Sequence, residues 1–245
     1  MTNTMHRQGS VESLRQDYII FASTLAGFNR KGSGEAVKKF IEIMLKHRPV
    51  NMGLSKHVAD GERKPNFIWE AIRNRFRGRN YQHGQPTEQT RRSWEEALRR
   101  GSTSRPLRTH AVFDSFDDFA AAIREVKEAD LGLCVNVNAI HEDTDRAARA
   151  AGIVRHTIEH SLGVHGRVDR LPSAEILDLS TMCGHGMVSF NLVQKMLYLV
   201  SMGHISIDRA AELLSKPCAC GVFNPARAAR ILSQVRDGVY WVQAK

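Results

Sequence analysis

The chain has 245 residues, 42% hydrophobic and 25% charged, an ordinary composition for a globular protein with an apolar core. Its net charge of +9 favours anionic partners. No run of 18 apolar residues occurs, so no transmembrane helix is expected, and the polar segment 1–7 lacks the apolar core of a signal peptide. We therefore expect a cytoplasmic protein that does not act at a membrane, in which four cysteines are too few for a disulfide scaffold.

The first predicted elements are a strand and a helix. Residues Asp17–Ala22 form a short apolar run typical of a buried strand. A helix is predicted from Glu35 to His47, because apolar residues recur on one face, and Pro49 follows its end. Residues 1–59 are therefore interpreted as the N-terminal strand–helix part of an α/β layer.

The next segment, residues 60–108, contains many more Arg and Lys than Asp and Glu. Trp69, Phe76 and Tyr81 lie among these arginines, a mixture that can bind single-stranded nucleic acid by charge and stacking. No RNA-binding or zinc-finger signature accompanies them. A solvated or oligomer-forming insertion is therefore favoured over a nucleic-acid site.

Residues 109–170 have the most regular pattern and are predicted to be the α/β core. The predicted order is β-α-β-α-β: strand Thr109–Phe113, helix to Ala129 capped by Ser115, strand Leu131–Val137, helix Glu142–Ala151 and strand Ile153–Ser161. This order predicts an α/β or α+β fold with at least one parallel crossover.

Residues 171–245 are predicted to be a helical, metal-binding segment. A helix is expected over Met187–Met202, a second over Ile207–Leu214 with Ser206 as cap, and a third opening at Asn224-Pro225. Residues 238–242 are expected to form an edge strand.

Three of the four cysteines lie in this last segment, in Cys183-Gly-His185 and Cys218-Ala-Cys220. The residues between His185 and Cys218 are predicted to form helix, turn, helix. Because the arms of a helical hairpin run antiparallel, its two ends should bring these four side chains together. Glycines beside them would allow close main-chain approach, and the helices that follow would direct N–H groups at the thiolates. Clustered thiolates of this kind predict a soft metal centre.

Two metals fit these residues. Cys183, Cys218 and Cys220 would bind a [4Fe–4S] cluster, with His185 as fourth ligand or with one iron open, and this is the favoured alternative. The same four residues would suit Zn²⁺ in a closed tetrahedral site, although Cys-x-Cys spacing is less typical of zinc. A redox thiol pair and buried apolar cysteines are the remaining alternatives.

Histidines lie at the end of the predicted core, in and just after its third strand. His160 and His165 flank a glycine loop and are predicted to act as acid or base, and Arg167 is predicted to hold a carboxylate or phosphate. The combined prediction is a cytoplasmic iron–sulfur enzyme for a small anionic substrate, with lyase, hydratase, sulfur-removal and redox chemistry left open. The alternative is a zinc-stabilised module that binds nucleic acid or an acidic protein.

Overall fold

The computed structural model describes residues 6–25, 27–30, 32–54, 108–218 and 220–238. Its strands form one sheet with the order β2-β3-β1-β4. The strands are β1 (Tyr18–Ser23), β2 (Asn51–Leu54), β3 (Arg108–Phe113) and β4 (Cys134–Asn138). Each neighbouring pair is antiparallel, so Ile20 of the central β1 pairs with Ala111 on one side and with Val137 on the other.

The helices described are α1 (Val11–Leu14), α2 (Gly34–Lys46), α3 (Phe116–Ala129), α4 (His141–Ala150), α5 (Ala174–Ser180), α6 (Phe190–Ser201), α7 (Ile207–Ser215) and α8 (Pro225–Arg236). None of these helices, within the residues described, is long and apolar enough to cross a membrane.

The connectivity explains how a β-α-β pattern yields an antiparallel sheet. β1-α2-β2 and β3-α3-β4 are two β-α-β units, and each places its two parallel strands on either side of a strand from the other unit. This is the ferredoxin-like β-α-β-β-α-β topology, which by itself implies no function. The predicted mixed α and β fold is confirmed, but no adjacent strands in the described part of the chain are parallel.

The two faces of the sheet carry separate cores. Because side chains alternate along a strand, Tyr18 and Ile20 of β1 point to one face and Ile19 and Phe21 to the other. The first face packs against α2, α3 and α4. The second is covered by α5 to α8, so the C-terminal helices form a third layer over a face that the two β-α-β units leave open.

Local signals place most helices correctly. The side chain of Ser115 accepts a hydrogen bond from the Asp118 N–H at the start of α3, and Asn224 accepts one from the Arg227 N–H at the start of α8. The predicted helix at Met187 is wrong at its start, because α6 begins at Phe190 after the cap Ser189.

The predicted third strand, Ile153–Ser161, is wrong. Residues 153–170, called here the histidine arm, contain only a short 3₁₀ turn at Val168–Arg170 and are mostly exposed. Val154 and Leu162 are 91% and 86% exposed. The apolar alternation resembles that of a strand, but no strand of the described sheet pairs with this segment. The predicted edge strand at 238–242 and the insertion at 60–108 lie outside the described residues, apart from Gly238 and Arg108.

Candidate metal centre

Two loops of the helical layer bring the predicted cysteines together. Cys183 and His185 lie between α5 and α6, and Cys218 and Cys220 lie between α7 and α8. The hairpin formed by α6 and α7 joins the two loops, and α8 packs against both of its helices. The predicted meeting of the two ends of this hairpin is therefore present.

The side chains form a row of contacts. The Sγ atoms of Cys218 and Cys220 are 3.8 Å apart, and Nδ1 of His185 is 3.5 Å from Sγ of Cys220. Cys183 lies beside Cys218 and interacts with its thiol. Cys183 and Cys218 are buried, Cys220 is half-buried and His185 is exposed, so the row runs from the core to the surface. All of these cysteines are free thiols.

Main-chain N–H groups face each sulfur. Those of His185 and Met187 face Cys183, that of Phe223 faces Cys218, and that of Val222 faces Cys220. Each favours the thiolate over the thiol. These donors belong to the loops rather than to the first turns of α6 and α8, which corrects the expectation that the helix starts supply them.

The three thiols differ in acidity because they form hydrogen bonds with one another. The hydrogen bond between Cys183 and Cys218 raises the pKa of Cys183, and burial adds to this rise. The same bond favours the Cys218 thiolate, but its contact with Cys220 and burial outweigh this and raise the Cys218 pKa to about 11. The hydrogen bond from Cys218 lowers the pKa of Cys220. By solvent exposure, Cys220 is the least buried of the three. Repulsion between neighbouring thiolates is a cost that a bound cation would remove.

The main chain of strand β2 lies unusually close to the main chain of the second loop, which contains Cys218 and Cys220. A Cβ on Gly53 would lie 1.9 Å from the Cys220 carbonyl oxygen and 2.2 Å from Cε1 of His110, and a Cβ on Gly221 would lie 2.6 Å from the Met52 oxygen. Only residues without side chains fit this crossing. The short β2 strand, with a glycine inside it, gave no usable signal in the sequence.

His110 of β3 lies under the same loop. The side chain is 8% exposed, and burial lowers its pKa to about 4. Its ring lies beside the carbonyls of Cys220 and Gly221, but Nε2 has no hydrogen-bond partner of good geometry among the described residues. A buried, unpartnered imidazole nitrogen next to a thiol loop is an unsatisfied polar group that sequence analysis did not find.

The side chain of Arg7 connects the two thiol loops. Its guanidinium is buried, pairs with Asp17, and donates hydrogen bonds to the carbonyls of Met182 and Val222, which adjoin the two thiol loops. Asp17 also pairs with Arg227 of α8 at 2.9 Å. This buried network ties the N-terminal segment to both loops and gives them a cationic neighbour.

The donor set fits a soft metal, with one qualification of geometry. Two ligands of a tetrahedral zinc ion lie ~3.8 Å apart when both are sulfur and ~3.5 Å apart when one is nitrogen, given Zn–S and Zn–N bonds of about 2.3 and 2.0–2.1 Å. The two measured contacts match these values. Within the residues described, however, no group of three or more His, Cys, Asp or Glu side chains is arranged to hold a metal ion. Binding of one ion by three or more of these side chains would therefore require the row to rearrange.

The other predicted site residues lie apart from this centre. His165 contacts the Leu162 carbonyl at 2.8 Å, and Arg167 forms a bidentate pair with Asp169 at 2.8 and 2.7 Å. All of these contacts are exposed and local. Among the described residues, no hydrogen bond or ion pair joins His165 or Arg167 to His160 or to the cysteines.

His160 has a more specific environment. Its Nδ1 lies 2.8 Å from Nε2 of His141, the first residue of α4. The next residue of the arm, Ser161, contacts His6 at 2.9 Å, and His6 is followed by Arg7. Consecutive N-terminal residues thus contact both the histidine arm, at Ser161, and the thiol loops.

Comparison of the chain with protein-family models, with curated proteins and with solved structures gave no match.

Proposed function

We propose that this protein is an iron–sulfur enzyme in which Cys183, Cys218 and Cys220 bind a [4Fe–4S] cluster and a small anionic substrate is bound nearby. The proposal is carried by the convergence of three cysteines from two loops, each facing main-chain N–H groups. Such N–H groups are typical of the surroundings of cluster thiolates. The cluster would supply either Lewis-acid or electron-transfer chemistry.

One feature supports a cluster over a single ion. His185 is exposed and stands at the outer end of the row, which would leave one iron accessible. Cluster binding also has a structural cost, since Cys218 and Cys220 would bind different irons and would have to separate from their present contact of 3.8 Å. Gly221, with φ of +78°, gives this loop a backbone conformation that side chains disfavour.

The second candidate is a zinc-stabilised binding module. The observation in its favour is that the Cys218–Cys220 and Cys220–His185 distances match those between ligands of one tetrahedral ion. Zinc would join the two loops of the helical layer and stabilise that layer on the sheet. The positive net charge would then serve to bind nucleic acid or an acidic protein.

The deciding experiment is anaerobic purification followed by visible absorption and metal analysis. The cluster predicts a brown protein with about four irons per chain. A colourless protein with one zinc would support the second candidate instead. A wild-type chain that binds neither metal after reconstitution would overturn both.

Cys218→Ala and Cys134→Ala form a matched pair for the same measurement. Both replace a free cysteine, but Cys134 lies on β4, outside the centre. We expect Cys218→Ala to abolish metal binding and Cys134→Ala to retain it. Equal metal content in the two variants would contradict the assignment. His185→Ala separates the two metals, because loss of a fourth ligand should release zinc more readily than a cluster held by three cysteines.

A further inference from the structure

A chain of four polar side chains links α4 to the histidine arm. Oδ1 of Asp145 lies 2.6 Å from Nη2 of Arg155, and Nη1 of Arg155 lies 3.3 Å from Nδ1 of His141. Nε2 of His141 then meets Nδ1 of His160 at 2.8 Å. The two imidazole rings are tilted by 43° with centroids 4.3 Å apart. These contacts anchor an otherwise exposed segment to α4.

The direction of each hydrogen bond in this series of four side chains follows from the guanidinium of Arg155. Arginine has five N–H donors and no acceptor, so Nδ1 of His141 must accept from Arg155. In the neutral ring, the proton of His141 is then on Nε2, where it is donated to Nδ1 of His160. His160 in turn carries its own proton on Nε2. Asp145 fixes the guanidinium, so one carboxylate sets the tautomer of two rings.

We infer that His160 is an oxyanion-binding residue that presents its Nε2–H to an acceptor oxygen of an anionic ligand, with His141, Arg155 and Asp145 as its positioning residues. This inference deepens the proposed function, because it rests on the anionic substrate named there. It also changes the role predicted for His160 from the sequence. A neutral imidazole with its outer nitrogen protonated donates a hydrogen bond and does not act as a base.

The surroundings of His160 suit an anion. Arg155 is 21% exposed, pairs with Asp145 and contacts His141, and His141 is the first residue of α4. The neighbouring Ser161 hydroxyl is held by His6 and also accepts the Gly163 N–H at 3.2 Å. His6, which contacts Ser161, is followed in sequence by Arg7, which donates a hydrogen bond to the Met182 carbonyl beside the first thiol loop.

The test is ring-nitrogen NMR of the full chain at about pH 8.5, above the usual range of histidine titration. We expect both His141 and His160 to carry their protons on Nε2. Arg155→Met should allow His141 to populate the Nδ1–H form, with loss of the single tautomer at His160. Arg209→Met, which removes an exposed arginine paired with Glu212, should leave both rings unchanged. A wild-type His160 protonated on Nδ1 would overturn the inference, as would an unaltered pair in Arg155→Met.

The ligand class is tested with inorganic phosphate as the probe. Saturable shifts of the His160 ring signals would support an oxyanion site, and the neighbouring His141 ring, which remains in His160→Gln, should lose its response to phosphate in that variant. The absence of a saturable shift at His160 would overturn that part of the inference. Both measurements are made on metal-free and on reconstituted protein. If the protein binds no metal but the expected tautomers and the phosphate response are observed, the proposed metalloenzyme is wrong and the anion site is supported. If the metal centre forms and the tautomers differ, only this inference fails.

Discussion

The thiol loops and the histidine arm carry the two groups of chemically active residues that the sequence singles out. The two regions differ in how much of the surrounding structure contacts them. The thiol loops are enclosed by the sheet, by α8 and by Arg7, with glycines at the points of closest approach. The histidine arm is exposed over most of its length and is fixed mainly through Arg155, His160 and Ser161. Cys183 and Cys218 therefore lie in a packed environment, whereas the histidine arm is fixed at only a few positions.

This difference shows what turns a motif into a site. His165 and Arg167 have suitable chemistry, but their contacts are local, so nothing sets their position relative to a ligand. His160 differs because His141 belongs to a packed helix. Positioning by residues distant in sequence is what gives a side chain a defined geometry. Substitutions that remove such long-range supports should therefore have larger effects than substitutions within the arm.

The largest effect is expected for Arg7→Met. The substitution removes a buried charge that pairs with Asp17 and the hydrogen bonds to the Met182 and Val222 carbonyls. Breaking one partner of a buried ion pair costs about 3–5 kcal/mol. Urea unfolding should show this loss, and the affinity for the reconstituted metal should fall as well. Arg48→Met, at an exposed pair with Asp118, should cost no more than about 1 kcal/mol. Equal losses in the two variants would remove Arg7 from the support of the loops.

The next largest effect is expected for Gly53→Ala, which should lower the free energy of unfolding by about 3 kcal/mol. The new methyl group would overlap the Cys220 carbonyl, a main-chain atom that moves only if the loop moves. Thermal unfolding measures the loss, and faster reaction of Cys220 with a thiol reagent reports displacement of the loop. Gly132→Ala provides a control, because its Cβ meets nothing within 4 Å and it tests only the strain of a positive φ. A Gly53→Ala variant as stable as this control would contradict the close crossing.

A smaller effect is expected from acid, through His110. Burial lowers its pKa to about 4, so between pH 6.5 and pH 4 the unfolded state binds more protons than the folded state. Stability should therefore be lost as the pH falls, by about 2 kcal/mol between pH 7 and pH 5 from this group. Urea unfolding of metal-free protein at the two pH values measures it. His110→Gln should reduce the dependence, whereas His204→Gln, at an exposed position, should not. An unchanged pH dependence in His110→Gln would show that the ring is not buried in its neutral form.

The sequence predicted what local patterns determine. β1, β3 and most helices were found because apolar spacing and caps such as Ser115 and Asn224 act within a few residues. The meeting of the cysteines was also predictable, since a helical hairpin has one defined geometry.

Pairing and support over long sequence distances were not predictable. β2 is four residues long and contains Gly53, so it resembles a turn until its pairing with β3 is known. The support of the thiol loops by Arg7 joins residues 175 and 215 positions apart, and no periodicity encodes it. The false strand at Ile153–Ser161 is the converse case, because its alternation is real but no strand of the described sheet pairs with it.

The smallest effect is expected for Leu162→Ser in the histidine arm. Leu162 is 86% exposed, so the substitution removes little packing and should change the unfolding free energy by no more than about 0.5 kcal/mol. Leu179→Ala, in the core of the helical layer, should cost about 2–5 kcal/mol in the same urea titration. Repeating the titration at several protein concentrations makes the comparison sharper. A loss for Leu162→Ser that grows with protein concentration would show that the arm is buried against a second copy, and the contrast between enclosed loops and exposed arm would then hold only for the monomer.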